Sequence, residues 1–297
     1  MQRQAYFLLT LTALFWAGNA IGGKLAVGHV SPMLLSALRW GIACVVLYAI
    51  GRRHVRDDWA VLRQNAALLT GLGFVGFTLF SVALYSALMF TTAINASILQ
   101  AGMPAIIFVA NFWVFRLRTT AGQVFGFLLS LVGVAIAATH GELARLLALD
   151  VNIGDALVLL AAIVYALYTV ALKRKPVMHW TSFMVALTAA GFVTSIPFAV
   201  AEYAYGSFIA PDAMGWAIVA FTAIFPSIMS QAFYIKGVNL IGGNRAGLFI
   251  NLVPIFGTLL SVLVLGEQLH LYHAIALGLV LGGIALAELS GRKLAAG

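Results

Sequence analysis

The sequence contains few charged residues. Only 9% of its 297 residues are Asp, Glu, Lys or Arg, whereas 63% are hydrophobic. A soluble domain covers its surface with roughly 25% charged residues, so this composition excludes an exterior that faces water on all sides. The chain also has a single cysteine, Cys44, which excludes an internal disulfide framework. We therefore expect an integral membrane protein.

The long apolar runs have no acidic residue in their middle thirds. The acidic residues of these runs lie near the run ends: Asp155, Glu202, Glu267 and Glu288. A proton-coupled cation antiporter that depends on one deep carboxylate is therefore disfavoured. Three histidines also lie near run ends: His140, His270 and His273. We expect these histidines to be solvated rather than part of a proton relay.

Motifs of common enzymes are missing as well. The sequence has no H-E-x-x-H, no Walker A loop and no G-x-G-x-x-G that follows a strand. Asn95-Ala96-Ser97 matches a glycosylation sequon, but it falls in a predicted span and would be inaccessible there. We therefore expect neither an enzyme nor a bound metal or cofactor. The net charge of +8 comes from short loops between apolar runs, so a nucleic-acid partner is not expected.

Ten apolar runs have about the length of 20 residues that a spanning helix requires. Their approximate bounds are 6–27, 33–51, 66–89, 93–115, 121–139, 152–172, 181–202, 214–236, 244–266 and 271–290. The first run is interpreted as a spanning helix rather than a cleaved signal peptide. Of the 17 Lys and Arg residues, 14 fall on one side of this arrangement and two, Lys24 and Arg145, on the other. The positive-inside rule then predicts that both termini are cytoplasmic.

The two halves of the sequence resemble each other at an offset of about 149 residues. The matching pairs are Trp16 and Tyr165, Lys24 and Lys173, Tyr85 and Tyr234, Asn95 and Asn244, Pro104 and Pro254, and Gly133 and Gly283. Since each half has five runs, an odd number, the second half would insert upside down relative to the first. We predict two inverted five-helix repeats, residues 1–140 and 141–297, with a substrate site near the midplane between them. The alternative, that hydrophobic helices simply look alike, stays open.

Arg39 lies inside the second run, where a charged side chain is expensive. It stands six residues into the run, or about 9 Å below the outer boundary at a rise of about 1.5 Å per residue. A guanidinium at this depth could clamp a substrate carboxylate through paired hydrogen bonds. In the alternative, it extends outward or binds carbonyls and Glu267 as a structural contact.

Three further groups of residues are candidates for the substrate site and its motion. Neutral donors and acceptors are offered by Asn19, Gln100, Gln231 and Asn251. Aromatic surface for stacking or for an ammonium group is offered by Trp16, Trp40, Tyr85, Tyr165, Tyr168 and Tyr234. Two prolines at matching positions, Pro104 and Pro254, free a carbonyl within their runs and are candidate hinges. Helix packing is the alternative for each group.

Several segments resemble the drug/metabolite transporter superfamily, in particular its ten-helix EamA-type branch. These segments are Ala13 to Asn19, Ser31-Pro32 with Ala37 to Trp40, Ala93 to Ser97 before Pro104, Asn244 to Gly247 before Pro254, and Leu265 to Leu269 before Gly282-Gly283. The resemblance covers essentially the whole chain. One departure is Leu117, which occupies the first-half position that corresponds to Glu267, so no symmetric ionic role is assigned there. The resemblance implies a solute carrier, often an exporter of amino acids or related metabolites, with a cavity lined by helices one to four and six to nine.

The residues and the resemblance together predict a secondary transporter that works by alternating access. We expect it to export amino acids or related small metabolites and to lie in an inner membrane of bacterial type, with the lipid bilayer and a small molecule as its partners. Two alternatives remain at this point. One is a multidrug or quaternary-amine exporter that uses the aromatic rings, and the other is a membrane enzyme that modifies lipids.

Overall fold

The computed structural model describes residues 2–103, 106, 120–142, 152–241, 246 and 248–295. These residues form helices joined by short turns, and no strand occurs among them. In chain order the helices are α1 (Gln2–Leu25), α2 (Pro32–Asp57), α3 (Trp59–Gln64), α4 (Ala66–Ala87), α5 (Ala93–Ala101), α6 (Ala121–Ala138), α7 (Ile153–Ala171), α8 (Trp180–Ala204), α9 (Ala213–Ile241), α10 (Leu252–Leu265) and α11 (Leu271–Ala295).

Seven of these helices are long and apolar enough to cross a membrane: α1, α2, α4, α6, α7, α8 and α9. Shorter apolar helical stretches occupy Phe249–Leu265 and Leu271–Ala287. The predicted class, an all-helical membrane protein, is thus confirmed. The number of ten spans and the cytoplasmic termini stay predictions, and the runs 93–115 and 244–266 extend outside the described residues.

Polar side chains at the helix starts explain where several helices begin. Thr92 accepts from the Asn95 N–H, and Thr120 forms a reciprocal capping box with Gln123. Asn152 and Asp212 cap α7 and α9 in the same way. Each side chain satisfies an N–H that has no partner inside the helix, and such groups are especially costly in a lipid environment.

Glu202 and Asp58 each cap a helix that is distant from them in the sequence. Glu202, near the end of α8, accepts from the backbone N–H groups of Met33 and Leu34 in α2. In return Asp58, just after α2, accepts from the His179 N–H at the start of α8. Helices α2 and α8 therefore each receive a carboxylate from the far end of the other. A negative charge at a helix N-terminus also interacts favourably with the helix dipole.

The helix contacts follow a reciprocal pattern between the two halves. Helix α2 packs on α8, and α6 packs on α11, so each pairs with the helix at the equivalent position in the other half. Helix α1 packs on α9 and α10, while α7 packs on α4 and α5. The α6–α11 crossing is close because Gly126 and Gly283 face each other, and a Cβ on either glycine would collide with the other's carbonyl oxygen.

Helices α4 and α9 each contain one π-helical segment. These segments are Phe74–Leu79 and Phe225–Met229, which lie about 150 residues apart in equivalent helices of the two halves. Pro226 lacks a backbone N–H and so accounts for the interrupted α-helical pattern in α9. Such segments shift the register of a helix by one residue and often occur at functional sites. Both of them lie beside the cluster of polar side chains around Arg39.

Candidate functional site

Arg39 forms the centre of a buried polar cluster that joins four helices. Its side chain is 5% exposed. The Nε donates to the Ser227 Oγ at 2.7 Å, and the Nη1 donates to the Asn19 Oδ1 at 2.9 Å and to the Tyr85 hydroxyl. Tyr85 in turn donates to the same Asn19 oxygen at 2.9 Å. The structure thus brings together three predicted site residues from α1, α2 and α4 and adds Ser227 from α9.

The charge of Arg39 has no carboxylate partner among the described residues. The two ion pairs formed within these residues are His29–Asp212 and His140–Asp155. The Arg39 Nη2 makes no hydrogen bond to any described side chain or carbonyl, so two of its five N–H groups are available. A buried cation that binds only neutral partners is a favourable place for an anion.

Aromatic rings form a wall next to the guanidinium. The Trp40 ring centroid lies 4.3 Å from the Arg39 Cζ, and the Trp40 ring stacks on Phe77 at 4.2 Å. The indole Nε1 also donates to the Phe77 carbonyl at 3.2 Å, which fixes the orientation of the ring. The row continues through two predicted residues, since Tyr168 contacts Phe77 edge-on and Tyr165 lies 5.4 Å from Tyr168. This wall offers apolar surface to the part of a ligand that carries no charge.

Two small openings lie along α1 on either side of Asn19. One is lined by residues that include Gly23 and Tyr85 and has a cavity volume of about 20 Å³, which is room for about one water molecule. The other is lined by residues that include Trp16 and Tyr234, whose rings are 5.5 Å apart, and it is too narrow for a water molecule. Along α1, Asn19 lies between the residues that line the two openings.

The remaining predicted residues lie outside this cluster. Gln100 is half-buried and donates to the Ala96 carbonyl of its own helix at 3.1 Å. Gln231 and Asn251 are half-buried and form no side-chain hydrogen bond within the described part of the chain. Pro254 is buried in the first turn of α10. Pro104 lies outside the described residues, so the paired-hinge prediction has one member with a known position.

One alternative and one expectation about charged and titratable residues are wrong. Glu267 does not bind Arg39, because both of its oxygens accept from the Ala93 and Ile94 N–H groups at 2.8 and 2.9 Å. His273 is not solvated, because it is 2% exposed and packs beneath neighbouring rings at the start of α11. His140 is only partly solvated, since it also contacts the buried Asp155 at 3.1 Å. The distance of these residues from the run ends could be read from the sequence, but the residues that cover them could not.

One carboxylate outside the spans has a clear electrostatic environment. Asp212 accepts from the Gly215 N–H at 2.7 Å and contacts the His29 Nδ1 at 2.7 Å. The Gly215 N–H and, to a smaller extent, the His29 side chain hold the pKa of Asp212 below its ordinary value. This contact links the α1–α2 turn to the start of α9, so it stabilises the ends of helices that contribute to the Arg39 cluster.

Comparisons with known proteins agree with this geometry. The model of the EamA-like transporter family matches residues 3–139 and again residues 152–289. The uncharacterized transporters YetK and YyaM of Bacillus subtilis are 26% and 25% identical, over 95% of this chain and over 86% and 93% of their own lengths. The uncharacterized inner membrane transporter YicL of Salmonella typhimurium is 26% identical over 98% of this chain and 97% of its own length.

A solved crystal structure has the same fold. It superposes with a TM-score of 0.64 at 22% sequence identity and covers 99% of both chains. The expected resemblance to the drug/metabolite transporter superfamily is thereby confirmed, and the chain is a multi-pass membrane protein with a general transporter function. The family model covers most of the sequence, so this chain belongs to the EamA-like transporter family.

Proposed function

We propose that this chain is a secondary transporter that exports amino acids or related small metabolites across an inner membrane of bacterial type. The observation that supports this most strongly is Arg39, a cation that is 5% exposed and has no carboxylate partner in the described ranges. A substrate carboxylate would supply the missing negative charge, and the free Nη2 can donate to it. The substrate class is thus a small solute that carries a carboxylate.

The aromatic wall supports a substrate with an apolar portion as well. Trp40 and Phe77 lie stacked on one side of the guanidinium, and Tyr165 and Tyr168 extend the wall toward the second half of the chain. A carboxylate held by Arg39 would place its carbon skeleton against these rings. A carboxylate-bearing solute with an apolar portion, such as an amino acid, therefore matches both the charge of Arg39 and the apolar surface of the wall.

Alternating access is supported by the reciprocal contacts between the halves. The pairings of α2 with α8 and of α6 with α11 are those that a two-fold axis in the membrane plane would produce. The residues 1–140 and 141–297 would then form the two inverted repeats, with ten spans and both termini in the cytoplasm. The hydrogen-bonded Asn19, Arg39 and Tyr85 would separate the two sides, and motion at Pro104 and Pro254 would open one side at a time.

The two alternative functions fit the cluster less well. A quaternary-amine exporter would bring a cation toward the buried Arg39 guanidinium, and like charges repel strongly in a low-dielectric site. Raised resistance to cationic dyes on overexpression would favour it nevertheless. A lipid-modifying enzyme needs a nucleophile or an acid–base pair next to its substrate, whereas Arg39 is surrounded by Asn19, Tyr85 and Ser227. Product formed in detergent, without vesicles, would favour that function.

The test is exchange of labelled amino acids in proteoliposomes. Vesicles preloaded with an unlabelled amino acid should take up the labelled form faster than protein-free vesicles. Arg39→Ala should lower this rate strongly, and Asn251→Ala should lower it if that residue contacts the substrate. Arg53→Met, an exposed position on the same helix as Arg39, is the matched control and should keep the wild-type rate.

The outcomes separate the parts of the proposal. Protein-dependent exchange of one or more amino acids that is lost in Arg39→Ala supports both the substrate class and the site. A broad panel without protein-dependent exchange would show that the substrate class is wrong. Exchange that continues unchanged in Arg39→Ala would show that the substrate binds elsewhere.

A further inference from the structure

A second buried charge lies apart from Arg39, at the start of α7. Asp155 has no exposed surface. Its Oδ1 accepts from the Thr91 hydroxyl, and its two oxygens lie 3.3 and 3.2 Å from the Asn95 Nδ2. Its Oδ2 lies 3.1 Å from the His140 Nε2. A carboxylate at such a position is costly to keep charged, and these three donors reduce that cost.

Close backbone packing around Asp155 places its carboxylate next to Thr91, Asn95 and His140. Gly154 packs directly on the turn after α4, where a Cβ would come within 2.8 Å of the Ala87 oxygen and of the Thr91 nitrogen. Asn152 caps α7 at the Gly154 N–H and also donates to the Phe90 carbonyl at 3.1 Å. The start of α7 therefore packs on, and is hydrogen-bonded to, the turn that precedes α5.

The hydrogen-bond donors and acceptors around Asp155 can accommodate an additional proton. An ionised Asp155 only accepts, so a neutral His140 donates to it from the Nε2 at 3.1 Å, and the His140 Nδ1 is then the acceptor that faces the Tyr272 hydroxyl at 3.3 Å. The Asn95 side chain is fully buried, yet its Oδ1 has no hydrogen-bond partner. When Asp155 takes up a proton it becomes a donor, and rotation of the Asn95 amide would give this donor an acceptor. The cluster thus supplies hydrogen-bond donors to the ionised Asp155 and an unused acceptor, the Asn95 Oδ1, to the protonated Asp155.

A route from water to the carboxylate passes through His140. The His140 side chain is 30% exposed, whereas the Asp155 side chain is 0% exposed. Imidazole can accept a proton at one nitrogen and release one from the other, so it suits transfer between water and a buried acid. The exposed Asp212–His29 pair has the same residue types without burial, with side chains 56% and 41% exposed. It provides a natural control.

Other ionisable groups lie on the elements that pack around the Asp155 cluster. From the α6 side these are His140 and the exposed Glu142, and from the α11 side they are Glu267, His270, Tyr272 and His273. From α1, Lys24 donates to the Leu88 and Thr91 carbonyls at 2.9 and 2.7 Å. Lys24 and Asp155 therefore bind the same residue, Thr91, through its carbonyl and its hydroxyl. Because Lys24 lies five residues beyond Asn19 on α1, this contact connects the Asp155 cluster to the Arg39 cluster.

We propose that Asp155 and His140 form a proton-binding site that couples export to proton entry. Whether a proton is bound there controls whether the helix ends around Asp155 are closed or open. The charged carboxylate holds together Thr91 and Asn95 at the start of α5, His140 after α6, and the start of α7. Proton uptake through His140 removes the charge, weakens these contacts and lets the helix ends separate. The inference rests on the proposed transport function, and it names the ion that drives it.

Gradient-driven accumulation in proteoliposomes tests the coupling. Vesicles with a lumen one pH unit more acidic than the medium, reconstituted with wild-type protein, should accumulate a labelled amino acid up to about tenfold for one coupled proton. Asp155→Asn should reduce the accumulation ratio to that of vesicles without a gradient, and Asp212→Asn should keep the wild-type ratio. A pH-sensitive dye in the lumen should report proton exit when substrate is added outside, and only when Asp155 is present.

Exchange without a gradient is measured on the same vesicles and separates the two proposals. If wild-type protein exchanges amino acids but neither polarity of the gradient drives accumulation, or if Asp155→Asn accumulates as wild type does, the proton site is wrong and the transporter stands. If the wild-type protein exchanges nothing on the panel, the proposed substrate class fails. The proton site is then tested by infrared difference spectra recorded between about pH 4 and about pH 9.

Those spectra should contain a carboxylic-acid C=O band that is absent in Asp155→Asn and present in Asp212→Asn. The lack of an Asp155-dependent band over this range would overturn the proposal. If Asp155→Asn does not fold, His140→Gln, which keeps an N–H donor but cannot relay a proton, takes its place. It should alter the pH dependence of accumulation, and an unchanged profile would count against the proton site.

Discussion

Replacement of Arg39 by methionine should separate stability from transport. The three hydrogen bonds of the guanidinium would each contribute about 1.5–3 kcal/mol if nothing else changed. The substitution also removes a buried cation without a carboxylate partner in the described residues, and the desolvation penalty of such an ion is several kcal/mol. These two effects oppose each other. We therefore expect the free energy of unfolding of Arg39→Met to change by less than about 2 kcal/mol.

The neighbours of Arg39 make this expectation specific. After the substitution Asn19 still accepts from the Tyr85 hydroxyl at 2.9 Å, and Ser227 still donates to the Thr222 carbonyl at 2.7 Å. No partner of the guanidinium is left without a hydrogen bond. The large destabilisation that follows when one member of a buried pair is removed should therefore be absent.

Transport should respond much more strongly than stability. Two charge-assisted hydrogen bonds to a substrate carboxylate contribute at least about 3 kcal/mol, and their loss should lower kcat/KM about 150-fold. Thermal unfolding in detergent and amino-acid exchange in proteoliposomes measure the two effects on one preparation. Arg39→Lys keeps the charge but not the planar fork and should fall between wild type and Arg39→Met. Wild-type exchange by Arg39→Met, or a fold that collapses without the guanidinium, would refute the assignment of Arg39 to the substrate.

Three further predictions concern the framework of the site. Glu202→Gln should lower the free energy of unfolding by about 1–3 kcal/mol, because a neutral amide is a weaker cap for the two N–H groups at the start of α2; an unchanged Tm in detergent would contradict this. Gly126→Val should destabilise the α6–α11 crossing by about 1–3 kcal/mol or more, since the new side chain meets the Gly283 carbonyl; Ala121→Val, exposed at the start of the same helix, is the control. Asp212→Ala should lower the Tm at neutral pH. The difference in Tm from wild type should shrink as the pH falls through the lowered pKa of Asp212, because a carboxyl group with a depressed pKa stabilises the fold only while it is ionised. A Tm difference that is equal at neutral and strongly acidic pH would show that the cap does not depend on charge.

The sequence predicted the helices and the centre of the site for the same physical reason. Apolar runs of spanning length become helices because lipid leaves the backbone no other hydrogen-bond partners. Polar residues inside such runs must find one another, and so Asn19, Arg39 and Tyr85 are joined in the structure. The rule that buried polarity in lipid is costly selected Asn19 and Arg39, whereas Tyr85 was selected for its aromatic ring.

Other parts of the site were not readable from sequence. Ser227 and Phe77 were missed because serine and phenylalanine are ordinary residues in a spanning helix, and π-helical segments have no clear pattern of their own. Pro226 was the available signal for the segment in α9. Glu267 was assigned to Arg39 as an alternative partner, but its true partners at Ala93 and Ile94 follow from a contact between helices more than 170 residues apart.

The burial of His273 was misjudged, and the burial of Asp155 was not predicted, for a related reason. Position along a run gives the distance from the membrane boundary, whereas burial depends on which helices cover that end. Asp155 is covered by the turn that contains Thr91, and His273 is covered by neighbours in α11. Contacts of this kind depend on the arrangement of the whole bundle. The weak similarity between the two halves was the sequence information that bore on this arrangement.

The buried position of Arg39 also affects how the protein reaches the bilayer. Ribosomes finish α2 well before they make α9, so Asn19 is present when Arg39 enters the translocation machinery, but Tyr85 and Ser227 are not. A central arginine opposes insertion by about 2.5–3.5 kcal/mol, and leucine, isoleucine or valine each favour it by about 0.3–0.6 kcal/mol. Val45 and Ile50, which are 69% and 68% exposed on α2, make few contacts in the folded bundle, yet they help to carry the guanidinium into lipid before its partners exist. Alanine at both positions should therefore reduce the amount of inserted protein far more than it reduces the stability of the molecules that do insert.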